Sequence, residues 1–223
     1  MRFEQSEYAS RPLLSKETVE KNRIYLFTKR LIDLLGAFLG LLVLLPVFIV
    51  VAIIIKLEDP KGPVFFYQAR VGKNGKEFKM YKFRSMVTDA EERLKELLQH
   101  NEVSGAMFKM KDDPRITWIG KFIRKTSIDE LPQFFNVLLG DMSLVGPRPP
   151  LPREVAEYTD YDKQRLLVTP GCTGLWQVSA RNSVGFDEMV QLDLTYIINR
   201  SIIYDIQIII KTVGVLLGSK NAF

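Results

Sequence analysis

Apolar and polar positions divide the chain into three kinds of segment. The first is a run without any charge, "LLGAFLGLLVLLPVFIVVAIII" from Leu34 to Ile55. At about 22 residues it meets the ~20 that a helix needs to cross hydrocarbon. It lies too far from Met1 for a signal-peptide core, and no small-residue cleavage pattern follows it. The second is strand-like: "GPVFFYQARVGKNGKEFKMYKFRSM" predicts two strands around Gly72–Lys73–Asn74–Gly75, with the Asn-Gly step as a hairpin turn. The third is helical. Asp89 to Gln99 predicts a solvated amphipathic helix, and Phe134 to Leu139 a short one ended by Gly140. Ser201 to Leu217 is apolar but interrupted by Asp205, Gln207 and Lys211, so it predicts a helix lying on core or membrane surface. A turn at Asp113–Pro114 precedes a basic, partly apolar segment. "GDMSLVGPRPPLP" reads as an irregular loop stiffened by prolines, and "TPGCTGLWQVSARN" as another loop-rich stretch.

The uncharged run carries two features that a plain span does not need. Pro46 sits near its middle, where it removes a helical N–H and pushes against the carbonyl of Leu42. Both flanks are also basic, with Lys21, Arg23, Lys29 and Arg30 before it and Lys56, Lys61, Arg70, Lys73 and Lys76 after it. Basic residues favour the cytoplasmic side of a membrane segment. If both ends obey that preference, the helix enters, bends at Pro46 and returns, each arm reaching ~17 Å at 1.5 Å per residue, about one leaflet. A straight span with a tolerated proline is the competing reading. Asp33 opens the run three residues after Arg30, a spacing at which the two pair on one helix face.

Composition narrows the chemistry. One cysteine, Cys172, excludes an internal disulfide. One histidine, His100, removes Ser–His–Asp triads using a histidine elsewhere, zinc sites of the HExxH type and most histidine-rich metal sites. Catalysis therefore rests on carboxylates, Arg, Lys or Tyr. A net charge of +5 suits an anionic partner. Nucleic acid fits poorly, because the basic residues are dispersed and no reading module is present.

Against that background stands "KTSIDELPQFF", where Asp129 and Glu130 lie side by side behind basic residues. Ser127-Ile128-Asp129-Glu130 matches a capping box. Pro132 weakens that fit, since it would fall inside the helix; a start near Asp129 places the proline in the first turn. The chemical reading divides the labour between neighbours: one carboxylate attacks phosphorus while the other holds a divalent cation. Arginines would neutralise the remaining phosphate charge. Arg148, between Pro147 and Pro149, is the best such clamp, and Lys82, Arg84, Arg124 and Arg181 are further phosphate-binding candidates. Asp160-Tyr161-Asp162 spells the D-x-D of metal-dependent glycosyltransferases, but its context reads as a helix start. A non-catalytic, basic membrane-surface adaptor is the other alternative.

"KRLID", the hairpin segment, "KDDPRITWIGKFIRKTSIDELPQFFNVLLGDMSLVGPRP" and "PGCTGLWQVSARN" occur in an order that resembles the bacterial sugar transferase family, the monotopic phosphoglycosyl transferases. The resemblance runs from about Lys29 to the C-terminus. It implies an α+β, mainly helical fold: an N-terminal extension (1–25), a re-entrant membrane helix (26–60) marked by Lys29, Arg30, Asp33 and Pro46, and a cytoplasmic catalytic domain (61–223) with a small β-hairpin and interfacial helices. It implies transfer of a sugar 1-phosphate, with a lean to glucose or galactose, from a UDP-sugar to undecaprenyl phosphate, with release of UMP. Surface polysaccharide assembly at the cytoplasmic face of the bacterial inner membrane is the implied setting. Asp129 matches the nucleophile, Glu130 the Mg²⁺-binding partner, and Arg124, Arg148 and Lys82 the phosphate site. Homo-oligomer formation stays open. Leu45 before Pro46, Cys172 in "PGCTG" and Ala180 before Arg181 depart from the usual pattern.

Overall fold

The computed structural model describes residues 13–90, 92–93, 110, 113–179 and 185–218. Most of the helix expected over Asp89 to Gln99 lies outside them, as do His100, Ala180 and Arg181. A short helix α1 (Lys16–Glu20), capped by the Ser15 side chain, leads into α2 (Arg23–Glu58), whose first turn is capped by Asn22. Helix α2 runs through Pro46 without a break, so the expected pair of arms is not seen as two separate helices.

One stripe of α2 is buried toward both ends, at Tyr25, Asp33 and Ala37 and again at Phe48, Val51 and Ile55. Leu35, Leu42, Leu45, Ile49 and Ile53 on its other side are exposed. Polar groups fix the first half. Arg30 donates to the carbonyls of Val137 (2.6 Å) and Leu138 (3.0 Å), while Asp33 accepts from the Leu144 N–H at 3.0 Å. The Arg30–Asp33 pair expected from spacing therefore does not form; open carbonyls at a helix end outcompete it. Lys29 is the cation near Asp33, at 3.9 Å, and it bonds Asp205 at 3.0 Å. The second half is held by apolar contact, with Phe48, Val51 and Ile55 clustered against Phe83, Ile119 and Ile123.

The hairpin forms as expected. Strands β1 (Phe65–Val71) and β2 (Glu77–Phe83) pair antiparallel with Tyr67 opposite Tyr81. Asn74 and Gly75 supply the left-handed turn residues, at φ 57° and 78°. Asn136 then binds the outer edge of β2: its side chain donates to Lys79 O (2.7 Å) and accepts from Tyr81 N–H (2.9 Å). It lies on α4 (Gln133–Leu139), which ends at Gly140 in the left-handed region. The basic segment before the acid pair is helix α3 (Trp118–Lys125), capped by Thr117.

Two stretches read as irregular contain strands. β3 (Ser143–Val145) and β4 (Gly171–Thr173) pair in parallel. A Cβ on Gly171 would come within 2.1 Å of the Gly146 backbone nitrogen, so this crossing requires glycine. Helices α5 (Pro152–Ala156), α6 (Asp160–Lys163) and α7 (Leu175–Ser179) follow the loops, then α8 (Phe186–Asn199) and α9 (Ile202–Gly218). The helix expected over Ser201 to Leu217 packs on the core through Ile208 and exposes Ile203, Ile206, Ile210 and Val213. Among the described residues, only α2 is long and apolar enough to cross a membrane.

Candidate active site

Asp129 and Glu130 lie on a single 3-10 turn, Ile128–Glu130, between α3 and α4. Ser127 is left-handed (φ 57°, ψ 16°) and its hydroxyl makes no capping bond, so the capping box is absent. Pro132 sits just before the first residue of α4, a position that demands no N–H. Lys82 reaches the pair from β2. Its Nζ is 2.7 Å from Glu130 Oε1 and 4.0 Å from Asp129 Oδ2. By gripping Lys79 O and Tyr81 N–H, Asn136 places Lys82, the next residue along, against the turn.

The two acids are tuned in opposite directions. Asp129 is 7% exposed. Burial pushes its carboxyl up to about 6, helped by the Glu130 charge and opposed by Lys82 and Arg124. Burial also acts to raise Glu130, but Lys82, by hydrogen bond and charge, then Arg148 and Arg70 hold it below the ordinary range. Its side chain is 42% exposed, open to a ligand.

The adjoining cleft, about 30 Å³, is lined by Arg70, Lys82, Glu130, Arg148, Cys172 and Gln177 among others. Arg70 escaped the sequence reading, which saw it as one of many flanking charges. It is buried, and burial together with the nearby Arg148 pulls it down to about 10. Its Nη1 donates to Pro149 O at 3.0 Å and its Nη2 to Gln68 Oε1 at 2.8 Å. Arg124 bonds the Ser85 hydroxyl at 3.0 Å and is lowered by burial against the pull of Asp129. Arg84 is turned elsewhere: it pairs with Asp59 at the end of α2. Cys172 is pushed up by burial and by Glu130, which keeps it a thiol rather than a nucleophile.

A larger cavity of about 90 Å³ lies at the base of α2, away from the acids, and includes Lys29, Arg30 and Lys73. Asp205, two carbonyls and Glu20 already hold those cations. The smaller cleft is the one with chemistry. Asp162 of the D-x-D tripeptide accepts from Thr159 N–H and Oγ at 2.9 and 2.7 Å, a helix cap as its context suggested.

The donor set fits Mg²⁺ of one particular kind. No three His, Cys, Asp or Glu side chains converge among the described residues. Mg²⁺ commonly takes one or two carboxylates and completes its shell with waters and substrate phosphates. Glu130 can serve, since the hydrogen bond from Lys82 goes to its Oε1. The cleft offers the Glu130 carboxylate, held below the ordinary range, with the cations Arg70, Lys82 and Arg148 around it, and the buried Asp129 carboxylate lies beside it near the same lysine.

Comparison with known proteins shows which family and which relatives the chain resembles. A family model described as bacterial sugar transferase matches residues 24–219. The chain is 54% identical to a galactosyl transferase, CpsE, of Streptococcus agalactiae, over 89% of this chain and 44% of that protein. It is 46% identical to an undecaprenyl-phosphate galactose phosphotransferase of Salmonella typhimurium, over 88% and 42%. It thus spans less than half the length of these two relatives. The exopolysaccharide production protein ExoY of Rhizobium meliloti is 38% identical, over 96% of this chain and 97% of its own.

Proposed function

The chain belongs to the bacterial sugar transferase family, and we propose that it transfers a sugar 1-phosphate from a UDP-sugar to undecaprenyl phosphate in exopolysaccharide assembly. The observation that carries this reading is the pair Asp129–Glu130 under one lysine, with opposed acidities. Environments that drive two carboxyls apart assign them different roles. Asp129, raised to about 6, is more basic than an ordinary aspartate and still ionised at neutral pH. It attacks the phosphorus that bears the sugar. The bond from that phosphorus to the bridging oxygen breaks, and UMP departs with the oxygen and the electron pair. An oxygen of the lipid phosphate then attacks the same phosphorus and releases the Asp129 carboxylate. Lys82, Arg148 and Arg124 stabilise phosphate charge as it moves. Glu130 would hold Mg²⁺, which would supply Lewis-acid neutralisation of the diphosphate. The galactosyl transferase and the galactose phosphotransferase among the relatives support galactose over glucose as the sugar.

The membrane reading rests on α2. Its first half, through Arg30 and Asp33, and its second, through Val51 and Ile55, both pack on the same body. A straight crossing would carry that body's charged surface into hydrocarbon, which is costly. The exposed side of α2 enters the cytoplasmic leaflet and leaves on the same side, bending at Pro46. Labelling tests this: in a Cys172→Ala variant, cysteines placed near either terminus are shielded from an external impermeant reagent, whereas labelling at one end establishes a span.

The reaction is tested by incubating purified protein with UDP-galactose, UDP-glucose and undecaprenyl phosphate and quantifying nucleotide. UMP is expected. UDP would indicate simple glycosyl transfer. With donor alone, peptide mass spectrometry is expected to find a hexose-phosphate on Asp129, and UMP release from enzyme unmodified there would end the two-step mechanism.

A further inference from the structure

Three prolines in Gly146–Pro147–Arg148–Pro149–Pro150 leave this loop few N–H groups with which to hold itself. Its carbonyls are held instead, one after another, from outside. Gly171 N–H donates to Pro147 O at 2.9 Å, Arg165 Nη2 to Arg148 O at 3.4 Å, Arg70 Nη1 to Pro149 O at 3.0 Å, and Val71 N–H to Pro150 O at 2.9 Å. Backbone and side chain thus clamp the segment that carries the cleft arginine.

Arg165 lines neither of the two cavities described above. It is buried beneath the loop, with Nε 2.8 Å and Nη2 2.7 Å from Asp193 Oδ2, and Nη1 donating to the Tyr158 hydroxyl at 2.8 Å. Asp193 on α8 is fully buried, and its Oδ1 has no hydrogen-bond partner among the described residues. A buried ion pair is seldom more stable than apolar residues of the same volume, and an orphaned buried oxygen makes it worse. Stability alone does not explain the arrangement. A planar guanidinium with every edge engaged does explain a fixed backbone point.

We propose that Arg165, locked by Asp193 and Tyr158, is a positioning residue for Arg148, fixing the carbonyl beside which that side chain leaves the loop and so the place of its guanidinium in the cleft. The inference rests on the phosphosugar-transfer reading, in which Arg148 meets donor phosphate. Electrostatics agree with the geometry: burial pushes the Asp193 carboxyl up to about 6 against the pull of Arg165 and, across the loop, of Arg148.

The test is a double-mutant cycle on the full chain, using UDP-galactose and UDP-glucose with undecaprenyl phosphate and reading UMP. Arg165→Lys removes the planar fork. It is expected to lower kcat by roughly 10- to 100-fold, as misplacement of a clamp by about 1 Å does, with a much smaller change in donor KM. In an Arg148→Ala background the same substitution should cost less than about 2-fold, because a residue acting through Arg148 has nothing left to position. Tyr158→Phe removes only the hydroxyl and is the milder arm. It should show a smaller kcat loss that also vanishes without Arg148, and it decides the matter if Arg165→Lys does not fold. Losses that add in the double variant, or a lowered melting temperature with unchanged kcat, overturn the positioning role. Full activity in Arg148→Ala overturns it too. No UMP from the wild-type protein with either donor would instead sink the reaction itself.

Discussion

Replacing Asp129 by Asn should abolish turnover and stabilise the protein, and the second effect is the more searching. An ordinary aspartate titrates near 3.8, whereas burial places Asp129 at about 6. A gap of about two in pKa corresponds to about 3 kcal/mol. The sign follows from proton binding. Between about pH 4 and 6 the folded chain keeps a proton that the unfolded chain has lost, so this group makes stability fall as pH rises through that window. Above pH 6 the whole deficit is present; below pH 4 it is gone. Asn carries no charge to desolvate, and Lys82 retains Glu130 at 2.7 Å as its partner. The variant should therefore gain up to about 3 kcal/mol at pH 8, which at 2–4 °C per kcal/mol is roughly 6–12 °C for a chain of this size. Thermal melting in lipid nanodiscs, followed by intrinsic fluorescence at pH 8 and at pH 4.5, measures it. A variant that melts lower at pH 8, or by the same margin at both pH values, would refute the claim that the nucleophile is held as a costly buried charge.

Other consequences are nearer to routine assays. Because Asp129 must be ionised to attack, kcat/KM should climb with pH through about 6 and then level; a flat profile from pH 5 to 8 contradicts the assignment. Glu130→Ala should lower the rate in a way that added Mg²⁺ does not restore, and full activity of that variant in chelator would remove its metal role. Arg30→Ala removes the guanidinium from the Val137 and Leu138 carbonyls at the end of α4, leaving Val137 only the Gly140 N–H, and should cost about 1–3 kcal/mol in chemical denaturation, with Arg30→Lys recovering part of it.

What could be read in advance was local. The hairpin was legible because an Asn-Gly step forces left-handed backbone whatever surrounds it, and the apolar run because twenty uncharged residues have few other uses. The parallel pair β3–β4 was not. Each strand is three residues long, the partners are far apart in sequence, and nothing periodic marks either. Arg84 was grouped with Lys82 on the strength of their proximity, yet β2 ends at Phe83, so Arg84 lies beyond the strand and turns to Asp59. Arg70 was passed over for the opposite reason. Its burial exists only once β1 lies against the 146–150 loop, a contact across most of a domain.

The acid pair sits at the point where local rules and chemistry disagree. Had Ser127 capped a regular helix, its hydroxyl would have taken the Glu130 N–H and the Glu130 carboxylate would have folded back onto the Ser127 N–H. Both groups would then have been satisfied, and neither available. Instead Ser127 adopts a left-handed conformation that costs a non-glycine residue of order 1–3 kcal/mol. Its N–H bonds Arg124 O at 3.1 Å, and its carbonyl takes the Glu130 N–H at 3.2 Å. The backbone is thereby satisfied without the side chains. Glu130 swings to Lys82, and Asp129 turns inward to the 7% exposure that sets its basicity. A capping signature with a proline too close behind it is what such a turn looks like in sequence. The strain belongs to the site because relieving it into a capped helix would return both carboxylates to ordinary structural work.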